Sequence, residues 1–223
     1  MLGSKEARVI VSHQHKFIFI KTHKVAGTSI EIALTRFAGE DGIVTPFMSK
    51  ADEDERLKAG FGGPRNFDTM TGLFKNHMTA AKVRTLLGSA MFAGYFKFSV
   101  ERNSYDKAVS MYAWKNPERR GQRAQSFEDF IACGGLKPAL DFDRYSLDGK
   151  PAMDVMVMYH DLQNGLDGVA GRLNLPSRID ISGIRRKSGF RDSTGHRAYY
   201  TDNTREAVAS LFTREIAAFG FEF

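Results

Sequence analysis

The sequence predicts an α/β fold with three layers, in which helices flank a mostly parallel central sheet. Three short apolar runs are typical of buried strands, at residues 17–21, 95–100 and 154–159, and helical patterns follow them. Strands that alternate with helices favour parallel pairing. Nothing in the 223 residues marks a break between two domains. We therefore predict a single domain over residues 1–223.

The predicted helices follow in chain order. The first begins near residue 28, because Ile30, Leu34 and Phe37 fall on one helical face. The others cover 51–59, 77–88, 104–114, 126–135, 162–173 and a last stretch that ends at Gly220. Ser104 is the expected N-cap of the helix at 104–114, and Asn203 with Glu206 is expected to form a capping box for the last helix. Residues 43–76 are predicted to form a long surface loop around the helix at 51–59.

Composition limits the class of protein. A hydrophobic fraction of 42% and a charged fraction of 26% are ordinary for a soluble globular chain. The single cysteine, Cys133, excludes an internal disulfide framework and fits a reducing compartment. No apolar run approaches the roughly 20 residues that span a bilayer, and "MLGSKEARVIVS" has no signal-peptide core. We therefore expect a cytoplasmic protein without a membrane anchor.

The net charge of +6 and the pI near 9.4 indicate an anionic ligand, although scattered solvated charge is the alternative. Basic residues recur beside turns, at Lys21, Lys24, Arg102 and within 184–197. Such clusters bind phosphate groups in nucleotides or nucleic acids. Their position next to predicted turns favours a small anionic ligand.

The segment "FIFIKTHKVAGTSIEIAL" runs from a predicted strand through a turn into a helix. Backbone N–H groups and the positive end of the helix dipole meet at such a turn, which favours an anion. Ala26 and Gly27 allow close approach of a ligand, while Thr28 and Ser29 add hydroxyl groups. Lys24 lies inside the loop and is expected to bind the same anion. The alternative is an ordinary strand-to-helix turn that contains a glycine.

The segment lacks the Walker pattern GxxxxGK[ST]. Thr28 follows Gly27 where that pattern has lysine, and no glycine lies five positions before Gly27. The basic residue, Lys24, stands upstream instead. This difference argues against a nucleoside triphosphate bound through Mg²⁺, and we expect no metal.

Two motifs resemble those of sulfotransferases that use 3′-phosphoadenosine-5′-phosphosulfate (PAPS). "IKTHKVAGTS" resembles their 5′-phosphosulfate loop, K-x-x-G-T-S, and "YFKFSVERNSYDKAVSMYAW" resembles their 3′-phosphate motif, F-x-x-V-R-N-P-x-x-R-x-x-S-x-Y. The ending "YYTDNTREAVASLFTREIAAFGFEF" is similar to the last helix and "FGY-x-F" end of the carbohydrate branch. The resemblance therefore covers nearly the whole chain.

The resemblance implies a P-loop-like fold and transfer of a sulfuryl group from PAPS to an acceptor hydroxyl, with a saccharide as the favoured acceptor. It implies Arg102 and Ser110 at the 3′-phosphate, and Arg102 offers a planar fork suited to that group. The alternative is that Arg102 pairs with Glu101 or Asp106. Lys187, Ser188 and Arg191 are similar in placement to a third cofactor contact. The donor is expected between the two strand-to-helix junctions.

Sulfuryl transfer requires in-line geometry, charge stabilisation on the leaving oxygen and a base for the acceptor hydroxyl. Lys24 is the expected residue for the leaving oxygen. A base that titrates near neutrality indicates histidine. His77 is the predicted base, because its segment resembles the one that carries the catalytic histidine in hexuronic-acid 2-O-sulfotransferases. His23, inside the first loop, is the alternative.

Some positions depart from the family pattern. Glu101 places a carboxylate beside Arg102, Ser104 replaces a proline, and Lys107 replaces an arginine that would bind in bidentate fashion. Basic residues in the predicted surface loop are expected to attract an acidic sugar, with solvated charge as the alternative: Lys58, Arg65 and Lys75.

Two other functions stay open at this point. A kinase-like phosphotransferase with a degenerate P-loop would bind ATP with Mg²⁺. A protein that binds nucleotides or nucleic acids without catalysis would use the same basic segments for phosphate contacts alone. We expect neither nucleic acid nor membrane as a partner.

Overall fold

The structure is a computed structural model that describes residues 9–74, 78–115, 125–184 and 195–223. In those ranges the strands are β1 (Val9–Ser12), β2 (Phe17–Ile20), β3 (Ile43–Val44), β4 (Asp68–Thr69), β5 (Gly72–Leu73), β6 (Phe96–Glu101), β7 (Ser146–Leu147), β8 (Lys150–Pro151) and β9 (Val155–Met158). The helices are α1 (Gly27–Thr35), α2 (Lys50–Lys58), α3 (Ala80–Leu87), α4 (Ser89–Gly94), α5 (Ser104–Lys115), α6 (Phe127–Ala132), α7 (Phe142–Tyr145), α8 (Leu162–Arg172), α9 (Asp202–Leu211) and α10 (Thr213–Phe219).

The described strands form a five-stranded sheet in the order β3-β1-β2-β6-β9, together with two small hairpins. The central pairs β2 with β6 and β6 with β9 are parallel, whereas β1 pairs antiparallel with both β2 and β3. Four of the five strands therefore point in one direction. The prediction of a mixed α/β fold with a mostly parallel sheet is confirmed. Since β2 and β6 are parallel neighbours, they end at the same edge of the sheet.

Apolar side chains cover both faces of the sheet at β1 and β2, where every residue is buried. Val9, Val11, Ile18 and Ile20 lie on one face and pack against α3 and α4. The alternate residues Phe17 and Phe19 contact Phe98 of the neighbouring strand, with ring centroids 6.0 and 5.1 Å apart. A strand that is buried on both faces reads as a continuous apolar run, which is why β2 was predictable.

The chain divides into two compact units. The first unit comprises the described residues of Met1–Thr22, Ala26–Glu101 and Asp143–Arg186, and it contains the five-stranded sheet. The second unit comprises those of His23–Val25, Arg102–Phe142 and Lys187–Phe223. The single domain over residues 1–223 stays a prediction.

The second unit has its own apolar core, built from α5, α6, α9 and the segment between α6 and α7. Its buried members are Tyr105, Ala108, Val109, Met111, Phe127, Phe130, Leu136, Ala139, Val208 and Phe212. Burial of such side chains stabilises a fold by roughly 1.5–3 kcal/mol each before entropy is counted. Because Val208 and Phe212 come from the C-terminal part of the chain, that part contributes to the core of the second unit.

Three predicted helix starts are wrong in detail. Asn103, and not Ser104, caps α5, because its side-chain oxygen accepts hydrogen bonds from the N–H groups of Tyr105 and Asp106 at 3.0 and 3.3 Å. Thr201 caps α9 in a reciprocal box with Thr204. Helix α3 begins at Ala80 behind the cap Thr79, three residues later than predicted. The predicted last helix is in fact two helices, and it ends at Gly220 in the left-handed conformation as expected.

The predicted surface loop at 43–76 contains more structure than expected in its described part. It holds β3, α2 and the β4–β5 hairpin. The Arg65 side chain donates hydrogen bonds to the carbonyls of Gly39, Gly63 and Thr35. It therefore links the predicted loop to the segment that follows α1. Lys75 lies outside the described residues. No helix in the described ranges is long and apolar enough to cross a membrane.

Candidate functional site

The loop between β2 and α1 has an unusual backbone. Lys24 and Ala26 adopt positive φ angles of 61° and 58°, although neither is glycine. Side chains disfavour this left-handed region, and each such residue costs of order 1–3 kcal/mol where the surroundings impose it. Non-glycine residues in strained conformations cluster at ligand-binding sites, so this loop is a candidate ligand site.

The start of α1 suits an anion. Ala26, its N-cap residue, offers no side-chain oxygen, and the first turn contains no acidic residue. The first N–H groups of a helix have no partner inside the helix, and they carry the positive end of its dipole. The hydroxyl of Ser29 donates to the carbonyl of Ile184 at 2.6 Å, and the hydroxyl of Thr28 accepts a 3.3 Å hydrogen bond from Lys21.

Lys21 fills the space beside Gly27. Its ammonium group lies 2.6 Å from the carboxylate of Glu31, and both side chains are almost fully buried. A Cβ atom on Gly27 would stand 2.5 Å from the Lys21 Cε atom. Gly27 therefore makes room for a lysine of the same loop, a reason for glycine that the sequence pattern did not reveal.

Lys24 and Arg102 meet within the second unit. The Nη1 group of Arg102 donates a 3.0 Å hydrogen bond to the backbone carbonyl of Lys24, and its Nε group donates one of 2.6 Å to Asp106. The predicted alternative, a pair between Arg102 and Asp106, is therefore present. The Lys24 ammonium group lies 5.0 Å from the centre of the Trp114 ring, within the range of a cation–π contact.

A buried carboxylate, Asp141, also contacts this loop. Its Oδ2 atom accepts a 2.7 Å hydrogen bond from the backbone N–H of His23, and its Oδ1 atom lies 2.8 Å from the His23 Nδ1 atom. Lys107 forms an ion pair with it at 2.7 Å, and neither side chain of this pair is exposed. Sequence reasoning missed Asp141, which stands 118 positions after His23 and in no motif.

Aromatic side chains surround the start of α5 in the second unit. Tyr200 donates a hydrogen bond to the carbonyl of Tyr105 at 2.9 Å. Burial raises the pKa of the Tyr200 hydroxyl well above its ordinary value, and Tyr105 and Asp106 raise it further. This tyrosine therefore acts as a neutral hydrogen-bond donor at physiological pH.

Four of the predicted site residues lie outside the described residues: His77, Lys187, Ser188 and Arg191. Ser110 is half-buried on α5. No group of three or more His, Cys, Asp or Glu side chains in the described ranges has the arrangement of a metal site.

A cavity of about 360 Å³ lies within the first unit. Lys58, Arg36 and Arg178 line it together with Glu55 and Asp180. Its mixed charges give it no clear preference for an anion. Of the two described basic residues that were expected to attract an acidic sugar, Lys58 lines this cavity and Arg65 does not.

Comparison with known proteins leaves the family of this chain open. No protein-family model matches it. An uncharacterised protein of Archaeoglobus fulgidus is 28% identical over 107 residues, which is 47% of this chain and 88% of the relative. A sulfotransferase from Alicyclobacillus acidocaldarius aligns over 93% of this chain and 96% of its own, with a TM-score of 0.40 and 13% identity.

Proposed function

We propose that this chain transfers a sulfuryl group from PAPS to the hydroxyl group of an acceptor, with a carbohydrate as the favoured acceptor. The observation that carries the proposal is the hydrogen bond from Arg102 to the Lys24 carbonyl, which joins the two PAPS-like motifs. The strands before these motifs, β2 and β6, are parallel neighbours that end at one sheet edge. Two basic motifs that are joined by a hydrogen bond suit a ligand with two anionic groups.

The donor would need one anion site for its 5′-phosphosulfate and one for its 3′-phosphate. The α1 start fits the first group, because its helix N–H donors have no acidic residue beside them in the first turn. The α5 start fits the second less simply. Asn103 already binds two of its N–H groups, so we assign the 3′-phosphate to the side chains of Arg102 and Ser110.

In the proposed reaction Lys24 neutralises charge on the leaving oxygen, and a histidine accepts the proton of the acceptor hydroxyl. PAPS, when bound, supplies an activated sulfuryl group. His77 stays the predicted base from sequence. The carbohydrate acceptor rests on the resemblance of the C-terminal segment.

Ligand preference tests the donor. We expect 3′,5′-ADP to raise the melting temperature of the protein, since a ligand that binds the native state stabilises it. ATP with Mg²⁺ should produce a smaller shift at the same concentration. A larger shift with ATP and Mg²⁺ would favour the kinase-like alternative and refute the proposal.

Labelled transfer tests the reaction. The protein is incubated with ³⁵S-labelled PAPS and a panel of saccharides, phenols and alcohols, and labelled product is separated and counted. We expect product with at least one saccharide. Lys24→Ala should lower the rate about 10²- to 10³-fold, as is typical when a group that stabilises developing charge is removed. Lys82→Ala, an exposed lysine on α3, is the matched control and should leave the rate unchanged. Binding of 3′,5′-ADP without transfer to any acceptor would instead favour a non-catalytic nucleotide-binding protein.

A further inference from the structure

We propose that His23 is the base of this reaction and that Asp141 is the residue that positions it. The inference rests on the proposed function and concerns the same loop. Sequence resemblance points to His77 instead, so the two histidines are competing assignments. The observations that favour His23 lie wholly within the second unit.

Asp141 is built to hold a histidine. Its carboxylate is fully buried and contacts three partners at 2.7–2.8 Å: the Lys107 ammonium group, the His23 backbone N–H and the His23 ring. A buried carboxylate is costly unless it is paired and hydrogen-bonded, and a neighbouring cation favours its ionised form. Lys107 therefore keeps a negative charge beside the imidazole ring.

The ionised carboxylate determines which ring nitrogen of His23 carries the proton. A carboxylate accepts hydrogen bonds, so the Nδ1 atom at 2.8 Å must be the donor. In the neutral imidazole the Nε2 atom is then the basic nitrogen. The His23 side chain is 17% exposed, so it is accessible from outside the protein core. A base requires this combination of a fixed tautomer and access to a substrate.

Both the ring and the backbone of His23 are fixed. One Asp141 oxygen binds the His23 N–H, and the other contacts the ring. An anchor for the loop would need only the backbone bond. The additional ring contact restricts the imidazole orientation, which is what a carboxylate behind a catalytic histidine does.

The position of His23 in the chain fits the role. It directly precedes Lys24, the residue proposed to stabilise the leaving oxygen, and the Lys24 carbonyl is held by Arg102. The base and the leaving-group cation are then neighbours on one strained loop. Lys107, which stands where the related motif has arginine, forms an ion pair with this carboxylate.

The acceptor oxygen attacks sulfur and forms a new oxygen–sulfur bond, while its proton passes to the Nε2 atom of His23. The bond between sulfur and the bridging oxygen breaks, and its electron pair leaves with the 5′-phosphate of the nucleotide. The products are a sulfate ester, 3′,5′-ADP and an imidazolium, which releases its proton to solvent.

Transfer rates of histidine variants test the role of His23. With the acceptor found in the labelled assay, His23→Ala should lower kcat about 10²- to 10⁴-fold, the usual range for loss of a general base. Its affinity for 3′,5′-ADP should be retained, and added imidazole should restore part of the rate. His77→Ala, the competing assignment, should lower the rate less than His23→Ala does, and the exposed control His160→Ala should keep the wild-type rate. A wild-type rate for His23→Ala, or a loss that imidazole leaves unchanged, would overturn the assignment.

The tautomer of His23 gives a readout that needs no acceptor. In ¹⁵N-edited NMR of labelled protein, the neutral His23 ring should show a protonated Nδ1 and an unprotonated Nε2. Asp141→Asn should change this pattern and lower transfer. Because that variant leaves Lys107 without its carboxylate, the double variant Asp141→Asn with Lys107→Met repeats the measurement without a buried lone charge. A protonated Nε2 in the wild-type protein would refute the proposal.

The two hypotheses fail in different ways. If the wild-type protein neither binds 3′,5′-ADP nor consumes labelled PAPS, the proposed function is wrong and the role of His23 falls with it. If the wild-type protein transfers sulfuryl and His23→Ala does so equally well, the reaction stands and the assignment of its base is wrong.

Discussion

Arg102 is the residue on which the 3′ side of the proposed site depends. Its guanidinium group already binds Asp106 and the Lys24 carbonyl, so it is held in place before a ligand arrives. Asp106 neutralises part of its charge, which weakens its attraction for phosphate. The same pair orients the planar group, and a preorganised donor loses less entropy on binding.

Arg102→Ala should weaken binding of 3′,5′-ADP about 10- to 100-fold, since a hydrogen bond to a charged group contributes about 1.5–3 kcal/mol. Binding of 5′-AMP, which lacks the 3′-phosphate, should change less. Calorimetric titration of both nucleotides measures the difference. Arg178→Ala is the control, because Arg178 forms a similar ion pair with Asp167 but is largely exposed. Equal losses for the two nucleotides would remove Arg102 from the 3′ site.

Gly27 gives a test of the loop itself. Gly27→Ala would place a Cβ atom 2.5 Å from the Cε atom of Lys21 and disturb the buried pair with Glu31. We expect a loss of about 1–3 kcal/mol in the free energy of unfolding, as for other overpacked sites. Urea denaturation measures this loss. Gly94→Ala meets nothing within 4 Å and should change stability by less than about 0.5 kcal/mol. A similar stability for both variants would show that Lys21 moves aside freely.

Helix α8 contains two glycines with different surroundings, Gly165 and Gly168. A Cβ atom on Gly165 would lie 2.4 Å from the Val157 Cγ1 atom of β9, whereas one on Gly168 would meet nothing within 4 Å. Gly165→Ala should therefore destabilise the protein by about 1–3 kcal/mol through overpacking of helix against strand. Gly168→Ala should stabilise it by about 0.5–1 kcal/mol, because alanine loses less backbone entropy in a helix.

Thermal or urea unfolding of the two α8 variants measures both signs. Opposite signs are the expected result. If both substitutions destabilise the protein equally, the close contact between Gly165 and Val157 is not the cause.

Elements with a strong local signal were predictable from sequence. Strands β2, β6 and β9 are short apolar runs, and α1, α5 and α8 carry periodic apolar residues, so their existence and type agree with the prediction. The helix caps were not predictable in detail, because several Ser, Thr and Asn residues compete near each start. Asn103 takes the α5 cap from its neighbour Ser104 through two backbone N–H groups.

Elements defined by long-range pairing were missed. Strand β1 pairs with both β2 and β3, although the sequence "VIVS" gave too short a signal to be predicted. His13 and His15 lie in the turn between β1 and β2. The site shows the same limit. Its loop was predictable from local chemistry, whereas the contact of His23 with Asp141 depends on the folded chain.

The core of the second unit depends on residues of the last helices. Phe212 is fully buried there, while its neighbour Leu211 is 41% exposed. Phe212→Ala should lower the free energy of unfolding by about 3–5 kcal/mol, the usual cost of an aromatic cavity. Leu211→Ala should change it by less than about 0.5 kcal/mol.

Fluorescence of Trp114 during urea denaturation measures this difference. Trp114 is the single tryptophan of the sequence and belongs to the second unit, so its signal reports on that unit. If Phe212→Ala leaves the tryptophan transition unchanged, the described C-terminal helices do not support the core that contains it.

His23 and the Asp141 carboxylate that contacts it are synthesised at different times. His23 leaves the ribosome early, but the carboxylate that binds it is 118 positions later in the chain. The loop that contains His23 therefore lacks this contact while more than a hundred residues are added, since domains assemble as units during translation. A truncated product that stops before Asp141 would lack the group that orients the imidazole, so this contact forms only in the later part of biosynthesis.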